Sequence, residues 1–178
     1  MASQWSHIVA NYSPEYIEIV GTFAIHFCFS WLVSLFFTVV DLSASESMLE
    51  KYKIQPISKQ ATRHALLQYI PSAFQNQVLT TVLHSIKILV LRRVTGRFVG
   101  YRIEHKLPSL AEILVDIPLC FLARDFLYYY GHRLLHQAWF YRRFHKQHHK
   151  FTTPVAISAE HMHPFEHTLV NILPIFVP

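Results

Sequence analysis

From Ile19 to Val40 the chain passes through 22 residues with no side chain charged at neutral pH. Wound as a helix at 1.5 Å per residue, that run covers roughly 33 Å, enough for the hydrocarbon core of a bilayer. It is apolar on every face, so it has no polar side to offer water, and lipid imposes a helix even where β-branched residues are frequent. A membrane-spanning helix is therefore expected here, with His26 inside it and Glu18 as the one charge at its edge. Residues 1–16 contain no Lys or Arg, which is the wrong start for a secretory signal, and they supply interfacial Trp5, Tyr12 and Tyr16. Residues 41–63 carry Lys51, Lys53, Lys59 and Arg63. The positive-inside rule puts that connector in the cytosol and the N-terminus across the membrane.

The rest of the chain is less uniform. Residues 64–91 are apolar in short pieces, interrupted by Pro71 and by Gln75, Asn76 and Gln77. A re-entrant hairpin, an interfacial helix and a polar-lined span all fit. Residues 92–106 are strongly basic and are expected on the cytosolic side. Residues 107–130 are again apolar, with Pro118 inside and basic flanks on both sides, which favours a shallow or hairpin-like entry. Two full crossings within 64–130 would instead put residues 92–106 in the lumen. If 107–136 is near-continuous helix, Glu112, Asp116, Asp125, Tyr129, His132 and His136 form a polar line expected to face a protein interior. Residues 168–178 are apolar but too short to span, and look like the opening of a further element. There are no internal repeats and no low-complexity tract.

The fold class that follows is all-α, an integral membrane helical protein with a cytosolic histidine-rich helical region. Charged residues make up 15% of the chain, against about 25% in ordinary soluble domains. The net charge of +5 suits an anionic membrane surface or a nucleic acid. Its distribution helps: no acid lies between Asp125 and Glu160, where Arg133, Arg142, Arg143, Lys146 and Lys150 do. Beside apolar spans, those cations favour phospholipid headgroups, so no nucleic-acid partner is expected. Cys28 and Cys120 sit in apolar runs and are expected as buried free thiols.

Eight of the thirteen histidines fall between 132 and 167. His132 and His136 stand four apart, on one helix face. His145, His148 and His149 make a second set, and two helices could aim both sets at one centre. Neutral imidazole is a good donor to iron, zinc, nickel or copper. No acid follows the first histidine as in HExxH, and the cysteines are too distant for a zinc finger. So many histidines around one membrane-associated centre suggest two metals, and the useful chemistry is O2 activation by non-haem diiron.

At these residues the chain resembles the fatty acid hydroxylase / sterol desaturase superfamily, closest to its C-4 methylsterol oxidase and fatty acid hydroxylase domain-containing branches. The matching words are "DFLYYYGHRLLH" (125–136), "FYRRFHKQHHKFTTP" (140–154) and "AEHMHPFEH" (159–167). The resemblance implies an endoplasmic-reticulum, multi-pass enzyme whose histidine cluster faces the cytosol. It implies a membrane anchor with basic connectors over 1–106 and a partial hydroxylase-type domain over 107–178. His132, His136, His145, His148 and His149 are then metal ligands, and His163, Pro164 and Glu166 match the family's HP-x-E element. His163 is counted with the ligands, while His161 and His167 are spare candidates. Glu166 would orient a ligand imidazole through its other ring nitrogen. Asp125, two helical turns before His132, is the best second-sphere acid, ahead of Glu112 and Asp116.

The implied reaction is O2-dependent oxidation of a sterol at its C-4 methyl, or of a related lipid. Cytochrome b5 and an NAD(P)H-dependent reductase are the implied electron donors. The family's last histidine box is not found, so the chain is expected to be a shortened form. A fatty acid or sphingolipid hydroxylase or desaturase, a non-catalytic partner of a full-length protein, and a simple metal-binding membrane module remain as other classes.

Overall fold

The computed structural model describes residues 2–60, 62–150, 153 and 155–176, and among them every regular element is helical, with no β-sheet. Helix α1 (Ala2–Asn11) leads into α2 (Pro14–Ser43). Ser13 caps α2 by accepting the Tyr16 N–H at 3.3 Å, and Pro14, which has no N–H to lose, opens the first turn. Among the described residues, α2 is the one helix long and apolar enough to cross a membrane. It contains the whole charge-free run, and Phe29, Leu32 and Phe36 project from it exposed.

A short α3 (Glu46–Tyr52) precedes α4 (Arg63–Thr95). Helix α4 corrects the broken pattern anticipated for 64–91. It runs unbroken through Pro71 and stops at Gly96, whose φ of +71° is the left-handed cap that glycine adopts without strain. Its buried residues are Leu66, Tyr69, Ala73, Asn76, Gln77, Thr80, His84 and Ile88, spaced three or four apart on one face. The polar residues that looked like a break are part of that buried stripe. The unbroken helix rules out the re-entrant hairpin among the three arrangements that fitted 64–91.

Helices α2 and α4 pack side by side and antiparallel. Arg92, near the end of α4, lies 3.3 Å from Glu15 at the start of α2. The Trp5 indole N–H donates to the Glu104 carbonyl at 2.7 Å. Residues 92–106 thus gather at the opposite end of α2 from the connector 44–62. Glu18 closes this end: it is 3% exposed, accepts the Tyr101 N–H at 2.7 Å and lies 3.3 Å from His84 Nε2. A Cβ at Gly100 would run into the Glu18 carboxylate, so the close backbone approach depends on glycine.

Helix α5 (Leu110–Leu135) also runs unbroken, past Pro118, and replaces the hairpin-like entry anticipated for 107–130. Its flanks lie at opposite ends of about 39 Å of helix. Ser109 and Glu112 form a reciprocal capping box, and Glu112 pairs with Arg102 at 2.9 Å. Asp116, Asp125 and Tyr129 are exposed, so the polar line of α5 faces outward along most of its length. The chain then turns through α6 (Ala138–Phe140), a π turn (Tyr141–His145) and 3-10 turns at His148–Lys150 and Ala156–Glu160. It closes with α7 (Pro164–His167), a second π turn (Thr168–Ile172) and α8 (Leu173–Phe176). The last two residues of the anticipated 168–178 element lie outside the described residues.

Two cores hold these pieces. Leu66, Tyr69 and Ala73 of α4 pack with Val155 and Ile157, and Leu135 of α5 packs with Met162 and Val170. Contacts therefore cross the boundary at residue 106. Thr153 Oγ1 donates to the Lys59 carbonyl at 2.7 Å, which puts the segment after the histidines at the connector end of α2.

Candidate metal centre

The helical spacing of His132 and His136 sets both on the last turn of α5. The π turn then delivers His145: the Lys146 N–H reaches back five residues to the Tyr141 carbonyl at 2.8 Å, and the wider turn redirects the side chain. His149 follows from the next 3-10 turn. The four Nε2 atoms converge. His132 and His136 are 3.1 Å apart, His136 and His145 3.2 Å, and His145 and His149 2.8 Å. One ligand atom from each of the four lies within 4.8 Å of the others.

His145 is fully buried, and its Nδ1 lies 2.7 Å from Glu166 Oε1 on α7. Burial raises the Glu166 carboxyl to about 8. Burial, and then the neighbouring imidazoles, lower His145 to about 3. His145 is thus neutral at physiological pH, with Nδ1 engaged by the acid and Nε2 turned to the other three rings. That is the form a metal binds, and an acid behind a ligand imidazole fixes its tautomer and raises its basicity. The Tyr128 ring stacks on His132 at 5.5 Å and closes one side.

The other anticipated residues lie outside this group. His148 is half-buried, with its ring 5.8 Å from that of His145 and its Nδ1 not turned to a hydrogen-bond partner among the described residues. His163 caps α7: its Nδ1 accepts the Phe165 N–H at 3.1 Å, and its ring packs on Phe144. His161 packs on Tyr69. His167 is buried between Thr80 Oγ1 at 2.8 Å and Asn171 Nδ2 at 3.1 Å. Asp125 is on the exposed surface of α5.

Sequence reasoning missed the α4 residues that brace the site. Asn76, fully buried, donates to the carbonyls of Glu160 and Met162 at 2.9 and 3.1 Å, and so fixes the backbone leading into His163–Glu166. Thr80 holds His167, the neighbour of Glu166. The available signal was the spacing: Ala73, Asn76, Thr80 and His84 share a helix face with Leu66 and Ile88.

The donor set fits a metal ion. With bonds of about 2.1 Å, neighbouring nitrogens around one first-row ion are about 3.0–3.4 Å apart. Three of the separations are close to that range and the whole set lies within 4.8 Å, a spacing compatible with metal binding. On the outer side, Arg142, Arg143, Lys146 and Lys150 are exposed, and the Arg143 guanidinium lies 5.4 Å over the Trp139 ring.

Residues 117–178 match the fatty acid hydroxylase family. The chain is 30% identical to the very-long-chain aldehyde decarbonylase GL1-8 of Oryza sativa subsp. indica, over 93% of this chain and 59% of that protein. It is 31% identical to methylsterol monooxygenase 2-2 of Arabidopsis thaliana, over 92% of this chain and 58% of that protein. It is 26% identical to the human fatty acid hydroxylase domain-containing protein 2, over 98% of this chain and 52% of that protein. The chain thus spans between half and three-fifths of the length of these relatives. No solved structure matches it.

Proposed function

We propose that this chain belongs to the fatty acid hydroxylase / sterol desaturase superfamily and carries the metal site of a membrane-bound non-haem iron oxygenase that acts on a sterol, at its C-4 methyl, or on a related lipid. The observation that carries this reading is the convergence of four imidazole Nε2 atoms, with Glu166 behind the buried one.

In this reading His132, His136, His145 and His149 hold an iron, and further donors complete a diiron centre. Iron there supplies the binding and reduction of O2 and the oxidation of an unactivated C–H bond. The protein's own part is orientation and exclusion of water. Glu166 accepts the Nδ1–H of His145 and keeps its Nε2 aimed at the centre. Asn76 and Thr80 hold the α7 segment from behind, so that Glu166 does not drift. Tyr128 covers His132 from α5.

In this reading the chain is multi-pass in the endoplasmic-reticulum membrane: among the described residues α2 alone has the hydropathy of a lone span, and α4 and α5, about 50 and 39 Å long, cross beside it as less apolar members of the bundle. The connector end then carries Lys51, Lys53, Lys59 and Arg63 together with the cations of 142–150, which favours the cytosol for the histidine end. The anionic leaflet would face Arg142, Arg143, Lys146 and Lys150, and cytochrome b5 with its reductase would deliver electrons on that side. Residues 92–106 would lie on the far side. Two of the relatives carry different activities in their names and the third names only a hydroxylase domain, so the reaction is the finer part of the proposal.

The test is iron content by elemental analysis and Mössbauer spectroscopy on the membrane-purified chain, with product analysis on 4-methylsterol and fatty-acyl substrates under O2 and reductant. Iron that is bound by the wild type and lost in His145→Ala supports the reading. A chain that takes up no iron, and whose longer form oxidises no lipid, refutes it.

A further inference from the structure

A groove of about 170 Å³ lies at the connector end, where α2, α4 and the 3-10 turn at Ala156–Glu160 meet. It is lined by Thr38 and Leu42 of α2, by Leu67 and Ile70 of α4 and by Ile157, with Arg63 at the start of α4. The walls are apolar in area, and Leu42, Leu67 and Ile70 are exposed, so the groove opens outward along the α2–α4 seam. None of the four converging histidines lines it. Its volume is below the about 300–1,000 Å³ that encloses a whole small molecule. A space of this size and polarity takes one hydrocarbon chain and leaves the rest of the ligand outside.

The charge at its end says what that rest is. Arg63 is exposed, and its guanidinium pairs with no acid among the described residues. The first turn of α4 contains no acid either. Lys59 adds a second exposed cation four residues earlier. Its carbonyl accepts Thr153 Oγ1 at 2.7 Å, which ties it to the segment that supplies Ile157. Asp41, the acid next to Leu42, is already engaged by Lys53 Nζ at 2.6 Å. The end of the groove is therefore positive, while its length from Arg63 to Ile70, about 10 Å of helix, is apolar. A phospholipid has the complementary layout, with a phosphate at the helix end and an acyl chain below it. A free phosphate would use Arg63 and leave the groove idle, and an uncharged lipid would do the reverse.

We propose that this groove holds one anionic phospholipid, with an acyl chain along Leu42, Leu67 and Ile70 and its phosphate on Arg63. The lipid is structural and is not the molecule oxidised. It joins the end of α2 to the start of α4, the helix whose Asn76 and Thr80 brace the segment carrying Glu166. The proposal needs the membrane placement of the connector end and does not depend on the oxygenase reading.

The experiment is native mass spectrometry of the detergent-purified chain, titrated with phosphatidylglycerol, with phosphatidylcholine of the same acyl chains, and with glycerol phosphate, the headgroup without chains. One phosphatidylglycerol is expected to be retained at least about tenfold more tightly than phosphatidylcholine, the usual worth of a charge-assisted contact. Glycerol phosphate should not be retained. Arg63→Gln should remove the preference and Arg63→Lys should keep part of it. Leu67→Gln, on the exposed wall, should weaken both lipids, while Arg143→Gln, in the other cationic stretch, should leave the preference in place. Equal retention of the two lipids by the wild type would overturn the proposal, as would a preference that survives Arg63→Gln. Glycerol phosphate held as tightly as the lipid would make this a plain anion site, and loss of the preference in Arg143→Gln would make it diffuse charge attraction; either result also overturns it. The readout needs no iron, so a chain that binds no iron and still prefers phosphatidylglycerol removes the oxygenase reading and leaves the lipid site standing.

Discussion

Among the described residues are two buried glutamate–histidine pairs, one at each end of the long helices. Glu166 and His145 lie 2.7 Å apart at the connector end, and Glu18 and His84 3.3 Å apart at the other. All four side chains are nearly excluded from solvent. What differs is the surroundings. His145 turns its second nitrogen toward three further imidazoles, which makes the pair a support for a ligand. Glu18 instead accepts the Tyr101 backbone N–H and holds the 96–101 loop against α2 and α4. The same two side chains thus back a cluster of imidazoles in one place and hold a loop in the other, and the pair alone does not reveal which.

Substitutions should separate the two ends. The largest effect is expected from His145→Ala, which removes the buried ligand. Iron affinity should fall by more than about 100-fold, since second-sphere changes alone cost about 10–100-fold. Retention of full iron by that variant would mean that the four-histidine group is not the site. Glu166→Gln should come next, with a loss of about 10–100-fold in iron affinity at little change in fold, read by metal titration. At the other end, Gly100→Ala should drive a methyl into the Glu18 carboxylate. It should cost about 1–3 kcal/mol of stability while iron affinity stays at the wild-type value. A drop in iron affinity there would show that the two ends are coupled.

Acidity should sharpen the contrast further. Burial lowers His145 to about 3 and His167 to about 4, both below the unfolded value of 6.5. The unfolded chain then binds more protons as pH falls below 6.5, so stability is lost between about 6.5 and 4. Glu166 works the other way: it is raised from 4.5 to about 8, so its contribution to the metal-free protein is lost as pH rises through that window. Two histidines outweigh one glutamate below 6.5, and the glutamate acts alone above it. Thermal melts of the metal-free chain in detergent should peak near 6.5, and Glu166→Gln should flatten the alkaline side. The smallest effect is expected from Asp125→Asn, whose exposed side chain is outside the converging group; unchanged iron content and activity would remove it from the site.

Much of the site was legible because local spacing carries it. The i and i+4 histidines of α5 need only a helix to share a face. The second set needed a π turn to bring His145 and His149 to the first, and no propensity announces that turn. The role of His163 was harder still, because a histidine before Pro-x-Glu serves equally as a ligand or as a helix cap.

By itself the sequence determined the all-helical class, the apolar α2 and four of the six histidines proposed as metal donors, His132, His136, His145 and His149, that the fold brings together. Each follows from a property of a short segment: hydropathy, spacing or side-chain chemistry. Tertiary structure alone decided that α4 and α5 run unbroken through Pro71 and Pro118, and that Asn76, Gln77 and Thr80 lie inward. It also decided that Glu166 stands behind His145 and that Glu18 is a clasp. For the polar residues the physical reason is common: a buried polar group takes its meaning from the partner that satisfies it, and the partners here lie 21 to 87 residues away along the chain.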